Sequence, residues 1–363
     1  MELFHKILKT AVEGGASDIH IKADAPVVYR ISSQLAKAEM NQQPDEQWLS
    51  NIIDNIVPGH FTQRLEEDRE IDFSYHVPGI GRFRTNCYQH LGKWCLAMRY
   101  VNAEVPNIDS LGLPEVIKSI AEAHRGIVMV AGTTGCGKST TLAGMIDHIN
   151  TTQQRHIITL EDPVEYVFED NNCIIEQREI GLDPPSDHHR LKHILRQDPD
   201  VIMVGEMRDS TSFRAAMSSA DTGHLVLSTL HTIDAPQSIS RMLDFFPAEE
   251  RESVRKQMLG TLKAIIVQRM TVRKDGGIIP AIEIMINTPT VSKLINENRL
   301  EKLHVAIETG TDEGMQNFNQ SLFQLVKDDI ITKEEALEKA TNAQALEMNF
   351  KGIFLSEGSR ILN

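Results

Sequence analysis

Eight consecutive residues, Gly132-Thr133-Thr134-Gly135-Cys136-Gly137-Lys138-Ser139, satisfy the pattern G-x-x-x-x-G-K-[ST] at every fixed position. The chemistry that needs those residue types at that spacing is the grip on a nucleoside triphosphate. The apolar run from Ile127 to Ala131 reads as a buried parallel strand, and Thr140 to Ile149 has the composition of a helix. A strand feeding a glycine turn into a helix N-terminus aims backbone N–H groups and the positive dipole end at one point. Glycine lets the backbone approach the phosphates closely. Lys138 is then expected to reach the β- and γ-phosphates of ATP, and the Ser139 hydroxyl to take a position on Mg²⁺. Gly132 through Ser139, with Thr140, form the expected nucleotide-binding set. Cys136 reads as a small filler within it.

Acidic and imidazole side chains follow three other apolar runs. Glu161, Asp162 and Glu165 surround Pro163 after His156 to Leu160. Gly205, Glu206, Arg208 and Asp209 follow Val201 to Val204, and Leu225 to Leu230 leads into His231. In an open parallel sheet, functional groups gather beyond the carboxyl ends of the strands. A carboxylate there holds Mg²⁺ through water or orients the attacking water, and a histidine senses the γ-phosphate. Many phosphate-loop enzymes place an aspartate where this chain has Gly205, so the burden moves to Glu206. Arg82, Arg84 and Arg99 sit on strand patterns, two of them on one face. From spacing alone these arginines read as solvated edge charge. His189 and His193 have a metal-compatible i, i+4 spacing, but with His188, Arg190 and Lys192 beside them the stretch reads as a solvated helix face.

The elements that must position these groups form two patterns. Up to residue 101, a helix from Leu3 to Val12, short alternating runs at Ser17 to Ile21, Val27 to Ile31, Ile71 to Val77, Arg82 to Tyr88 and Cys95 to Val101, and a helix from Asp45 to Ile56 predict a small α+β domain. Val101 to Pro114 reads as a linker and Glu115 to Ala123 as a helix. From Gly126 onward, apolar runs alternate with helical patterns, which predicts a mostly parallel α/β sheet. Lys274-Asp275-Gly276-Gly277 turns into a strand from Ile278 to Ile286. A helical tail follows, with apolar spacing at Val291 to Ile295, Met315 to Leu325 and Lys333 to Leu346, and Ser356 to Asn363 is expected to be loosely held. The expected domains are 1–110, 111–288 and 289–363.

At 363 residues the chain exceeds what one hydrophobic core supports, which agrees with more than one domain. Its formal net charge of -14 disfavours broad contact with nucleic-acid phosphates. The four cysteines form no C-x-x-C pair, no signal-like segment opens the chain, and no run is long enough to span a membrane. These features predict a cytoplasmic protein whose membrane association, if any, is peripheral or through another protein.

Taken together, Gly132 to Ser139, Ile158 to Tyr166, Val204 to Asp209 and Thr222 to Thr232 resemble the Walker A, Asp box, Walker B and His box of the secretion ATPase superfamily, in that order. Within it the chain is similar to the type IV pilus retraction ATPases, the PilT/PilU family, over essentially its whole length. Ala16-Ser17-Asp18-Ile19-His20-Ile21, Gln177-Arg178-Glu179 and Gly314-Met315-Gln316 also look like that branch.

The resemblance implies a PAS-like N-terminal domain, a RecA-like core and a homo-hexameric ring with ATP between subunits. It implies that Arg84, Arg99 and Arg82 are presented to nucleotide, reversing the reading from spacing. By the same resemblance Glu206 positions water, Glu161, Asp162 and Glu165 form the acidic box, and His224 and His231 form the histidine box. The implied function is ATP-driven pilus retraction at the inner membrane through a platform protein. The alternative is an accessory ring that acts through a paralogous ATPase, its own hydrolysis being dispensable. Where retraction ATPases carry Ala-Ile-Arg-Asn-Leu-Ile-Arg-Glu, this chain has Val291-Ser292-Lys293-Leu294-Ile295-Asn296-Glu297 and extends through Phe350-Lys351-Gly352-Ile353, which leans toward PilU. The tetracysteine zinc module of assembly and type II secretion ATPases is missing. A DNA-pumping ATPase is the third reading, and stimulation of hydrolysis by DNA would revive it.

Overall fold

Alternating and continuous apolar runs build two different sheets in this chain. The computed structural model describes residues 1–31, 34–40, 43–101, 105–180 and 193–353. These divide into two compact units. The first holds the amino-terminal residues with Asp162–Val167 and Glu179, and the second holds Val105–Glu161, Phe168–Arg178 and the chain from residue 193. His188, His189 and the tail from Ser356 lie outside the described residues.

In the first unit, helix α1 (Glu2–Glu13) leads into strands β1 (Ala16–Lys22), β2 (Val28–Ile31) and β3 (Gln34–Lys37). Helices α2 (Glu46–Ile56) and α3 (Thr62–Asp68) precede β4 (Glu70–Val77), β5 (Gly81–His90) and β6 (Lys93–Val101). The sheet order is β3-β2-β1-β6-β5-β4, with antiparallel pairing throughout. Period-two alternation decides what each face does. On β5, Phe83, Thr85 and Cys87 turn inward while Arg84 turns outward. Phe4, Ile7 and Leu8 of α1 and Leu49, Ile52 and Ile53 of α2 share a core with Ile19, Ile21 and Phe83. Asp45 caps α2 by accepting the Trp48 N–H at 2.7 Å.

The second unit opens with α4 (Val116–Ala121), β7 (Gly126–Gly132) and α5 (Lys138–Thr152). Strands β8 (His156–Glu161), β9 (Ile174–Glu179) and β10 (Val201–Val204) follow, then α6 (Ser210–Asp221) and β11 (Leu225–Leu230). Next come α7 (Ala235–Asp244), α8 (Arg251–Thr261), and the hairpin strands β12 (Leu262–Val272) and β13 (Ile278–Ile286). The carboxyl-terminal helices are α9 (Pro289–Asn296), α10 (Leu303–Thr309), α11 (Phe318–Lys327), α12 (Lys333–Lys339) and α13 (Ala343–Phe350). The sheet order is β13-β12-β7-β11-β10-β8-β9. β12, β7, β11, β10 and β8 run parallel, and β13 closes one edge antiparallel.

Because helices cover both faces, β7 is buried along its whole length. Val128 and Val130 pack with Leu142, Met145 and Ile146 of α5. Ile127, Met129 and Ala131 face the other way, toward Phe213, Ala216 and Met217 of α6. The fold is therefore α/β, with a parallel core in the second unit and a smaller α+β first unit.

Two expected boundaries differ from the packing. Ile108 and Leu113, placed before residue 114 in a linker, belong to the core of the second unit. Helices α9 to α13 form no separate unit, since Val291, Ile307, Phe318 and Leu346 share one core with Ile127 and Met129. The helix expected from Lys333 to Leu346 is two helices, because the Asn342 side chain accepts the Ala345 N–H at 3.0 Å and starts a second one. The Asn317–Gln320 capping box likewise starts α11 later than Met315. Among the described residues, no helix is long and apolar enough to cross a membrane.

Candidate nucleotide site

Gly132 ends β7 and Gly137, at φ 84°, caps the start of α5, so the eight-residue loop joins a strand end to a helix N-terminus. Gly132 has φ 144°, and a Cβ there would stand 2.4 Å from the Cys136 Sγ and 2.6 Å from the Gln268 carbonyl oxygen. Cys136 is buried beneath the turn, and burial raises its thiol pKa, which fits a filler rather than a nucleophile. Gln268 on β12 backs the loop and donates to the Thr141 hydroxyl at 2.7 Å. Thr133, Thr134 and Gly135 are exposed, while Ser139 and Thr140 are half-buried at the helix start. The Lys138 ammonium donates to the carbonyls of Gly132 at 3.1 Å and Thr133 at 3.0 Å.

From that ammonium a chain of contacts runs to groups just past the ends of β11 and β10. His231, directly after β11, places Nδ1 3.5 Å from Lys138 Nζ and Nε2 3.5 Å from Glu206 Oε1. A neutral ring with its proton on Nε2 satisfies both contacts, accepting from the ammonium and donating to the carboxylate. Glu206, two residues past β10, also accepts from Arg208 Nε at 2.9 Å. The loops beneath are locked together. Gly205 N–H donates to the Leu160 carbonyl at 2.8 Å, and the Thr229 hydroxyl to the Gly205 carbonyl at 2.6 Å. A cavity of about 620 Å³ adjoins Glu206 and His231, walled by Arg208, Thr232, Gln237 and Arg241.

The remaining candidates are placed differently. Glu161 ends β8, is buried, and accepts from the Thr159 hydroxyl at 2.6 Å and Gln177 Nε2 at 3.1 Å. Asp162 and Glu165 are exposed and belong to the first unit. His224 is not brought to the cluster. It precedes β11, whose six residues put about 20 Å between it and His231, and its Nδ1 lies 2.8 Å from the Ser219 carbonyl.

The arginines form part of a row across the first unit's sheet. Register pairs Arg30 with Asp18, Asp18 with Arg99, Arg99 with Arg84, and Arg84 with Ser74. Arg84 and Arg99 therefore stand side by side on one face, an arrangement that repels without a nearby anion. Asp18 steadies one of them, accepting from Arg99 Nε at 2.9 Å, while the rest of that guanidinium stays exposed. Burial raises the Asp18 pKa, but the Ser17 hydroxyl and Arg99 outweigh it and hold the carboxyl below its ordinary value. Arg82 is engaged elsewhere, donating to Glu179 at 3.4 Å, and Glu179 also accepts the Val164 N–H at 3.2 Å.

Sequence reasoning overlooked three polar residues: Gln268 behind the nucleotide loop, Arg241 on the cavity wall and Glu283 within β13. Glu283 is a lone polar residue inside the otherwise apolar β13, and that interruption is the signal that could have found it.

Comparison with known proteins agrees with this architecture. The family model described as type II/IV secretion system protein matches residues 1–338. The type IV pilus retraction ATPase PilT of Pseudomonas aeruginosa is 39% identical over 335 residues, covering 92% of this chain and 97% of the relative. The type IV pilus ATPase PilU of the same organism is 36% identical over 349 residues, covering 96% and 91%. A crystal structure of the pilus retraction motor PilT with bound ADP superposes with a TM-score of 0.87 at 40% identity, covering 94% of this chain and 98% of that one.

Proposed function

The chain belongs to the type II/IV secretion system protein family, and from that premise we propose that it is an ATP-hydrolysing motor driving retraction of a type IV pilus, the filament disassembly behind twitching motility. The observation that carries the reading is the meeting of Lys138, His231 and Glu206 from three separate strand ends beside a glycine loop. The likeness to a retraction ATPase over 97% of its length supports it.

In this reading the loop amides and Lys138 hold the triphosphate, and Glu206 orients the attacking water and takes up its proton. His231, touching both, keeps lysine and glutamate in one geometry. Glu161 is the second carboxylate near the β8 end, and Asp162 and Glu165 extend that acidic segment. The Ser139 hydroxyl and the Glu206 carboxylate are hard oxygen donors, which suits Mg²⁺, the glutamate acting through water. The ion, when bound, neutralises charge on the β- and γ-oxygens. Arg84 and Arg99, and less directly Arg82, supply positive charge to a triphosphate held by another copy of the chain. The working form is a homo-hexameric ring at the cytoplasmic face of the inner membrane, passing its motion to a platform protein.

A second reading, an accessory ring that works through a paralogous ATPase, is favoured by α9, which carries Lys293 and no arginine, and by the likeness to PilU. Retraction velocity in a strain lacking this protein separates the two. The motor reading expects wild-type protein to restore retraction and Glu206→Ala to fail even beside the partner ATPase. Retraction restored by Glu206→Ala only in the partner's presence selects the accessory ring. Restoration by Lys138→Ala and Glu206→Ala without any partner discards hydrolysis at this site altogether.

A further inference from the structure

Glu283 is a carboxyl group that the proposed reaction does not use. It sits in the middle of β13, 3% exposed, where a charge demands a reason. Its Oε1 accepts the backbone N–H of Ala235 at 2.8 Å. Ala235 is the first residue of α7, and a carboxylate at a helix start is favoured by the dipole and by the unpaired N–H groups.

That first turn is fused to the loop carrying His231. Thr232 and Ser238 hydroxyls meet at 2.6 Å, and Ser238 Oγ donates to the Asp234 carbonyl at 2.8 Å. Ile233 N–H donates to Gln237 Oε1 at 2.9 Å, and Asp234 accepts the Gln237 N–H at 2.7 Å. Loop and helix thus move as one piece, and Glu283 fastens the piece to the sheet. On its other side stands Arg269 of β12, diagonal across the ladder because Glu283 pairs with Val267. The Arg269 guanidinium lies 4.2 Å over the Phe318 ring and donates to the Lys339 carbonyl.

We propose that Glu283 is a positioning residue for ATP hydrolysis, holding the first turn of α7, and through it the His231 loop, in register with Lys138 and Glu206. This rests on the reading of Lys138 and Glu206 given above.

The charged groups facing Glu283 are Asp234 at the start of α7 and Arg269 on β12. The buried faces of α10 and α11 bring Leu303, Ala306, Ile307, Phe318, Ser321 and Leu322, none of them charged. Burial pushes the carboxyl up against the pull of the Ala235 amide; Asp234 adds to the rise and Arg269 opposes it, leaving the pKa at about 7. A folded pKa above the unfolded one means that stability is full below the unfolded value and falls as pH rises toward 7. Turnover follows the opposite course, because only the charged form gives the stronger, charge-assisted bond to α7.

The test compares wild type, Glu283→Gln, Glu283→Ala and Glu206→Gln by melting temperature and steady-state ATP hydrolysis against pH. At pH about 8, Glu283→Gln is expected to melt no lower than wild type and keep its KM, yet lose about fivefold in kcat. Wild type is expected to lose the same factor as pH falls through about 7, and Glu283→Gln to lack that limb. Glu283→Ala, which removes the acceptor outright, should lose at least as much kcat. A Glu283→Gln enzyme with wild-type kcat and an unchanged acidic limb overturns the proposal, as does a kcat loss that only tracks a lower melting temperature. If Glu206→Gln hydrolyses ATP like wild type, the site reading falls and takes the proposal with it.

Discussion

Glu206→Gln is expected to cut ATP turnover by about 10³-fold while changing nucleotide affinity by no more than a few-fold. The substitution preserves shape, so the argument concerns charge alone. The carboxylate lies past the end of β10, where His231 Nε2 at 3.5 Å and Arg208 Nε at 2.9 Å fix its two oxygens. An amide in its place accepts no proton from water and still occupies the site. In the proposed reading the grip on phosphate belongs to other groups, the loop amides and Lys138, which the change leaves alone.

Glu161 is the rival for the same role, and its surroundings weigh against it. Its Oε1 already accepts both the Thr159 hydroxyl at 2.6 Å and Gln177 Nε2 at 3.1 Å. Glu206 is likewise held by two donors, but it lines the cavity, whereas Glu161 is buried and absent from that lining, which suits a support rather than a base. Glu161→Gln should therefore cost less, on the order of 10-fold. Pre-steady-state phosphate release with equilibrium ADP binding on both variants decides it. A Glu206→Gln enzyme retaining more than about a tenth of wild-type turnover, against a dead Glu161→Gln, would exchange the two roles.

What could be read beforehand follows from how local each signal is. The glycine loop is legible because its chemistry constrains eight successive residues. The ends of β8, β10 and β11 are legible because continuous apolar runs mark parallel strands and the first polar residue marks their end. Partnerships between distant strands are not local. Arg84 and Arg99 lie opposite each other only because the β5–β6 register brings them there, and spacing along either strand contains no trace of it. Glu283 and Ala235 are separated by 48 residues of sequence. β12 escaped notice for a related reason: Lys263, Gln268 and Arg269 interrupt its apolar run, and the backing it gives to Gly132 exists only once the sheet is assembled.

That backing governs the second large effect. Gly132→Ala is expected to destabilise the second unit by about 3–5 kcal/mol and abolish ATP binding, whereas Gly135→Ala should cost about 1 kcal/mol. Both glycines have positive φ, 144° and 80°, so backbone strain alone does not separate them. Space does. At Gly135 a new Cβ meets nothing within 4 Å, but at Gly132 it would lie 2.6 Å from a carbonyl oxygen of β12 and 2.4 Å from the Cys136 sulfur. The backbone oxygen cannot withdraw without breaking the β12–β7 ladder, which pairs Gln268 with Gly132 itself. Cys136→Ala added to Gly132→Ala would remove the sulfur clash and leave the carbonyl clash, so the double variant should recover only part of the loss. Thermal melts of the three variants with ADP titrations measure this directly. Equal melting of Gly132→Ala and Gly135→Ala would mean that the loop floats free of β12, and the rigid turn on which Lys138 depends would have to be abandoned.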